Sequence, residues 1–324
     1  MALLELAQHG LYCASGNFYI DPWGPVERAV ITHAHAAHSG SGSYWTARPG
    51  ERLLRARLGT EAAIQTLDYG EPVTIGDVRV SLHPAGHILG SAQVRMERGG
   101  EVWVISGDYK LAPDPTCAPF EPLRCHTFVT EATFGLPVFG WPAASEVLDS
   151  IHAWWRANQE AGRASLLFAH PAGKAQRLLA LIDPSIGPIY AHPAVDEITD
   201  VYRTQGIALA DSARVTDQGP SADALILAPP QVHGQPWEKR FGTASTAYAS
   251  GWMRIRGTRR RRSLDRGFVL SEHADWSGLL RTIEETRAER VWVTHGYRAP
   301  MVRWLEEHGR KALAVETRFE EDET

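Results

Sequence analysis

ITHAHAAHSG, residues Ile31 to Gly40, puts three histidines, His33, His35 and His38, within six residues. The stretch follows the β-rich run RAVIT and precedes Ser39-Gly40, a turn signal, so it reads as a loop at the end of a strand. Residues two apart in an extended segment point the same way. His33 and His35 are therefore expected to grip one metal ion while His38, further round the turn, faces another. A lone histidine is usually structural; three at this spacing favour a metal site over a solvated loop. Ala36 and Ala37 stand where one would look for a carboxylate.

Other strand ends repeat the pattern. In HPAGHILGSAQ, His83 to Gln93, Gly86 and Gly90 bracket His87 in a tight loop, and glycine lets backbone close around a ligand. His83 is an alternative ligand, but it lies within the strand run VRVSLH and is expected to pack or face solvent. EVWVISGDYK presents Asp108 after a buried-type strand and Gly107. A carboxylate can bridge two metal ions about 3.5–4 Å apart, which an imidazole rarely does. GFVLSEHADWSG and RVWVTHG place His273 and His295 at the same kind of position, and Asp275 is expected to cap the helix that follows. Scattered core histidines do not explain four strand ends that each deliver His or Asp.

The runs RAVITH, EVWVISGD, HTFVTEA, SLLFAH, ALILAPP, GFVLSEH and RVWVTHG predict strands. ERLLRARLGTEAAIQTL, ASEVLDSIHAWWRANQE, GKAQRLLALI, WSGLLRTIEETRA and PMVRWLEEH predict helices, which gives an α/β chain. Helix and strand alternate most regularly in the middle, and histidine-ended strands resume only after it. We therefore expect a domain at 141–265 inserted into one formed by 1–140 and 266–324, with the site built by both outer segments.

The 324 residues are 44% hydrophobic and 22% charged, as in an ordinary globular chain. No apolar run approaches the roughly 20 residues that cross a bilayer, and MALLELAQHG does not read as a signal peptide, so a cytoplasmic protein is expected. Three cysteines without a CxxC pair suggest buried hydrophobes, neither a disulfide framework nor a thiolate zinc site. The net charge of -5 hides a basic run, MRIRGTRRRRSLDRG, carrying Arg254, Arg256, Arg259, Arg260, Arg261, Arg262 and Arg266. Arginines just before GFVLSEH can neutralise the phosphates of a strand fed towards the site, against the alternative of a solvated loop. Trp252, Phe241 and Tyr248 could stack bases, though core packing is the expectation for any one of them. Lys174, at a helix start in HPAGKAQRLL, is a second candidate phosphate contact. That segment is not a nucleotide loop, because Phe168 and Ala175 break the GxxxxGK[ST] pattern.

THAHAAH, AGHILGS, SGDYK, TEATFG, SEHADWSG and VTHG, in this order, resemble the metallo-β-lactamase-fold nucleases of the β-CASP group, which includes Artemis-like DNA nucleases and RNA-cleaving members. With LYCASGNFYIDPW, GKAQRLL and SGWMRIRGTRRRR, the chain looks most similar to bacterial DNA-ligase-associated exonucleases, over nearly its whole length. The resemblance implies an αββα sandwich with an inserted β-CASP domain. It implies two divalent ions, Zn²⁺ or Mn²⁺: one on His33, His35 and His87, the other on His38 and His295, with Asp108 between them. It implies His273 as general acid, oriented by Glu131. The family motif is His-x-His-x-Asp-His, and Ala37 occupies the aspartate's place. A methyl group cannot coordinate, so the second metal is expected to be weak or absent. The intact remainder of the motif set favours an introduced inactivating Asp→Ala change over a natural pseudoenzyme.

The expected function is a metal-dependent DNA exonuclease acting in repair on single strands or free ends, in association with a DNA ligase. Ribonuclease activity is the runner-up, because RNA-cleaving relatives share these motifs. A nucleic-acid-binding scaffold without activity is the alternative from another class, and a small-molecule hydrolase comes third.

Overall fold

The computed structural model describes residues 2–216, 219–255, 257–258 and 263–317. The chain forms two compact units, one from Met1–Val138 with His273–Thr324, the other from Phe139–Glu272. The boundary expected at 265/266 falls inside the second unit, because Arg266–Phe268 is the edge strand of its sheet, paired to Ser245–Ala249.

The first unit holds two sheets. One has six strands in chain order: Glu5–Ala7, Gly10–Cys13, Phe18–Ile20, Arg28–Val30, Ser43–Ala47 and Ile64–Leu67. The other has seven, in the order Lys311–Ala314, Arg290–Thr294, Thr127–Glu131, Glu101–Ile105, Ala92–Arg98, Val78–Pro84 and Pro72–Ile75. Side chains alternate across each sheet with period two, so each strand serves two layers. Phe18, Ile20 and Val30 of one sheet share a buried cluster with Val80, Val94, Trp103, Ile105 and Val129 of the other. The alternate positions face helices. Val104, Phe128, Val291 and Val293 pack with Leu279 and Ile283 of the helix Trp276–Thr286 and with Met301 and Leu305 of Arg298–Glu307. Ala29, Ile31 and Tyr44 pack with Leu54 of the helix Glu51–Leu58.

Thr127–Glu131 runs parallel to both Glu101–Ile105 and Arg290–Thr294. The C-terminal ends of all three strands therefore lie along one edge, where the chain continues to Asp108, Glu131 and His295. Parallel pairing is what turns separate strand-end residues into neighbours.

The second unit carries a six-stranded parallel sheet in the order Ala213–Arg214, Ile189–Ala191, Leu225–Ala228, Ser165–Phe168, Ser245–Ala249 and Arg266–Phe268. Buried on both faces, its central strands read as continuous apolar runs, SLLF and LILA. Ala144–Glu160 is the long helix predicted from ASEVLDSIHAWWRANQE; Val147, Ile151, Trp154 and Trp155 form its buried stripe. The helix predicted over ERLLRARLGTEAAIQTL is shorter. It stops at Leu58, Gly59 turns the chain at φ +97°, and Ile64–Leu67 becomes a strand. Cys13 and Cys125 are buried and Cys117 is half-buried, and none of the three is in a disulfide. Among the described residues, no helix is long and apolar enough to cross a membrane.

Candidate metal centre

Ile31 still pairs with the neighbouring strand, its amide donating to Trp45 O at 2.8 Å. The chain then tightens: Ala34–Ala36 is one turn of 3-10 helix, where the sequence suggested extended backbone. His33, extended at φ -159°, is the residue before that turn and His35 lies within it. Their rings meet edge to face, with centroids 5.5 Å apart.

His87 completes the group from its glycine-bracketed loop. Gly86 has φ +74°, and a Cβ there would sit 2.3 Å from Lys110 O. Gly90 has φ +75°, and its Cβ would fall 2.1 Å from the Gly50 backbone. Both positions therefore demand glycine twice over, by handedness and by space. Ser91 Oγ accepts the amides of His87 and Ile88 at 3.1 and 3.2 Å. The Ala92 amide donates to Thr32 O at 2.7 Å, joining this loop to the histidine loop.

The rings of His33, His35 and His87 stand nearly perpendicular to one another, with centroids 5.0 to 5.5 Å apart. Each offers a nitrogen within 4.8 Å of the others, and His87 Nε2 is 3.4 Å from His35 Nδ1. Asp108 Oδ2 lies 3.3 Å from His33 Nε2 and 3.9 Å from His87 Nε2. Burial acts to raise the pKa of Asp108, but the histidines around it, His33 first, outweigh that and hold the carboxyl well below the usual carboxylate range. Its charge in turn raises the pKa of His33 against the effect of burial.

Asp21, at the end of the run NFYI, joins the site although it is not among the residues expected there. Its carboxylate accepts the Thr32 amide at 2.8 Å and the Thr32 hydroxyl at 2.6 Å. A hydroxyl has one proton to donate, so Thr32 Oγ1 is the acceptor for His33 Nδ1 at 2.8 Å. The relay favours a proton on Nδ1 and turns Nε2 towards Asp108, to which it donates when protonated; an outer partner of this kind is what orients a metal-binding imidazole. Burial pushes the Asp21 carboxyl up to about 6. The signal available in sequence was the strand-end acid already used for Asp108.

A second group joins the first. His87, Asp108 and His273 bring their ligand atoms within 4.8 Å of one another, and the His273 ring is 4.8 Å from that of His87. His273 Nδ1 lies 2.9 Å from Glu131 Oε2, and the other oxygen of this carboxylate accepts the Tyr109 amide at 2.8 Å. Glu131 is 1% exposed.

His38 and His295 fall outside both groups. Half-buried His38 has Nδ1 3.3 Å from Ala36 O, and its carbonyl accepts the Tyr44 hydroxyl at 2.9 Å. His295 sits at φ +49° with Nδ1 2.7 Å from Thr294 Oγ1, lining a small pocket with Asp21, Gly107 and Thr294. Burial lowers its pKa. Ala37 is 2% exposed and packs among Ala29, Ile31, Tyr44 and Leu54, while its carbonyl accepts Arg57 Nε at 2.9 Å. His83 lies beside Ser81 and Glu121, and Asp275 caps its helix by accepting the Gly278 amide at 2.8 Å.

Lys174 is not placed to meet a phosphate. It is fully buried, with Nζ 3.1 Å from Glu272 Oε2, so its charge is already matched inside the second unit. Arg254 and Arg266 are exposed, whereas Arg256, Arg259, Arg260, Arg261 and Arg262 lie outside the described residues. Tyr248 is in the core, Phe241 packs against it, and Trp252 meets Phe139 edge to face.

No family model matches the chain. It is 31% identical over 310 residues to the "Probable DNA ligase" of Opitutus terrae, a match covering 95% of this chain and 30% of that protein. It is 25% identical over 196 residues to "Endoribonuclease ysh1" of Aspergillus fumigatus, covering 57% of this chain and 22% of the relative. One relative is named for DNA, the other for RNA. The chain spans less than a third of the length of either. Among solved structures, a protein of unknown function from Enterococcus faecalis V583 shares the fold, with a TM-score of 0.62 at 12% identity over 90% of this chain and 80% of that one.

Proposed function

We propose that the chain is a metal-dependent nuclease of the metallo-β-lactamase fold with an inserted β-CASP domain, hydrolysing phosphodiester bonds at the ends of single-stranded DNA. The observation that carries the reading is the grouping of His33, His35 and His87, with Asp108 against His33 and His87 and the His273–Glu131 pair beside it. The helix–sheet–sheet–helix layering of the first unit and the relatives named for nucleic-acid chemistry support it.

The donor set fits a divalent ion. Three imidazoles and a carboxylate are a borderline N/O set suited to Zn²⁺ or Mn²⁺. His33, His35 and His87 would hold the ion, with Asp108 next to His33 and His87. Such an ion, when bound, supplies Lewis acidity towards a phosphate oxygen and a source of hydroxide near neutral pH. The protein's own groups do the rest. The Asp21–Thr32 relay orients the His33 imidazole. Glu131 fixes the proton of His273 on Nδ1, so that Nε2, when protonated, can deliver its proton to the departing sugar oxygen. The family resemblance implies a second ion on Asp108, His38 and His295, but these two histidines fall outside the ligand groups of the structure, and Ala37 leaves that position one ligand short. The exposed Arg254 and the arginines that follow it would meet the phosphates of the entering strand.

The choice of DNA, repair and ligase association rests on the relative named a DNA ligase, in which a region similar to almost this whole chain is part of a longer protein. A ribonuclease is the second reading, favoured by the relative named an endoribonuclease. End-labelled DNA and RNA strands of one sequence, incubated with the Ala37→Asp protein and Mn²⁺, decide between them. Shortening of the DNA supports the proposal; degradation of RNA alone overturns it.

A further inference from the structure

The helix Lys174–Leu181 begins with a turn that is polar yet buried: Lys174 and Gln176 are fully enclosed and Arg177 is 3% exposed. Three long polar side chains in the interior are costly unless each is matched. Gln176 is used to fix the helix itself. Its Oε1 accepts the Gly173 amide at 2.8 Å, and its Nε2 donates to Pro171 O at 3.0 Å and to Thr199 Oγ1 at 3.1 Å. The two cations, three residues apart and so on one helical face, are used elsewhere. Lys174 Nζ is 3.1 Å from Glu272 Oε2, and Arg177 Nη1 donates to Ser271 O at 2.8 Å and lies 3.9 Å from Glu272 Oε1.

Ser271 and Glu272 are the residues immediately before His273 in the chain. On the other side of His273, the Ala274 amide donates to Tyr109 O at 2.7 Å, and the Tyr109 amide holds Glu131. The histidine's backbone is thus tied down just before and just after it. We infer that Lys174 and Arg177 are positioning residues for His273: they clamp the preceding two residues so that its ring stays on Glu131. A buried ion pair is weak support for stability compared with an apolar replacement, and fixing one arrangement is its better-attested use. The clamp explains why GKAQR is rich in cations that never reach solvent. Its value to the reaction rests on the proposed role of His273 as proton donor, whereas the positioning itself does not.

The test uses the full chain without metal or substrate, labelled with ¹⁵N-histidine. The His273 Nδ1 proton, bonded to Glu131, is identified by its loss in Glu131→Gln. Lys174→Met is expected to shift or broaden this resonance, and adding Glu272→Leu, which replaces the ion pair by an apolar pair, is expected to restore it. Arg177→Lys keeps the charge but lacks the planar donor aimed at Ser271 O; it is expected to move the resonance too, and it decides the matter if Lys174→Met does not fold. An unchanged resonance in whichever of these single variants folds would overturn the inference. Nuclease activity does not enter the measurement, so failure of the proposed function would leave this result standing, and the reverse.

Discussion

His273 and Glu131, 142 positions apart in sequence, meet through Nδ1 and Oε2 at 2.9 Å, and the carboxylate's second oxygen is occupied by the Tyr109 amide. Glu131 therefore has both oxygens committed, and the ring has one orientation. Glu131→Gln keeps the shape but removes the charge that holds the ring proton. In the Ala37→Asp background we expect turnover to fall by about 10²-fold or more, with affinity for Zn²⁺ unchanged. Turnover rates and a competitive Zn²⁺ titration check it; loss of metal affinity in step with turnover would place Glu131 among the structural supports of the metal group.

The glycines around His87 differ sharply from glycines on open surface. Gly90→Ala forces a Cβ to within 2.1 Å of the Gly50 backbone at φ +75°, whereas Gly99, at φ +57°, has nothing within 4 Å of that position. Gly99→Ala should cost only the left-handed backbone penalty, about 1–2 kcal/mol. Gly90→Ala should cost at least twice as much and also abolish Zn²⁺ binding, because the His87 loop must move. Urea denaturation of both variants checks the order, and similar losses would refute it.

How far the sequence shows the site follows from where each partner lies. Asp108 is legible because it stands just beyond a β-rich run whose parallel neighbours end along the same edge; His295 stands at a like position yet falls outside the ligand groups. His87 was legible from the glycines that only a tight loop needs. Lys174 looks like a phosphate contact in sequence because its partner Glu272 is far along the chain, and nothing in GKAQR shows that the turn is enclosed. Asp21 carries the same strand-end signal as Asp108, but its role runs through a threonine hydroxyl, which local sequence does not mark. The 3-10 turn at Ala34–Ala36 was hidden because alternating His and Ala suits an extended strand end equally well.

Asp21 gives the metal-free protein a pH dependence of defined sign. Its carboxyl is raised from 3.8 to about 6 by burial, so the folded state holds this proton more tightly than the unfolded chain. The contribution to stability is complete below pH 3.8 and is lost as pH rises through about 6; the shift corresponds to about 3 kcal/mol at most. Asp21→Asn removes the step. The difference in unfolding free energy between parent and variant should therefore change between pH 4 and 6.5 and then level off. A constant difference across that range would contradict the assignment.

Ala37 lies in an apolar cluster, so a carboxylate at this position is costly until an ion meets it. Without metal, Ala37→Asp should be less stable than the parent by about 1–3 kcal/mol. Saturating Zn²⁺ should stabilise the variant more than the parent, reversing the order. Thermal unfolding with chelator and with Zn²⁺ measures both differences; equal stabilisation of the two proteins would mean that position 37 does not face a metal.

The most direct test of the nuclease assignment is digestion of single-stranded DNA, labelled in turn at each end, by the Ala37→Asp protein with Mn²⁺. The account predicts progressive shortening from one end, abolished by chelator and by a further His87→Ala substitution. DNA that is bound but stays full length with Mn²⁺ or Zn²⁺ would contradict it.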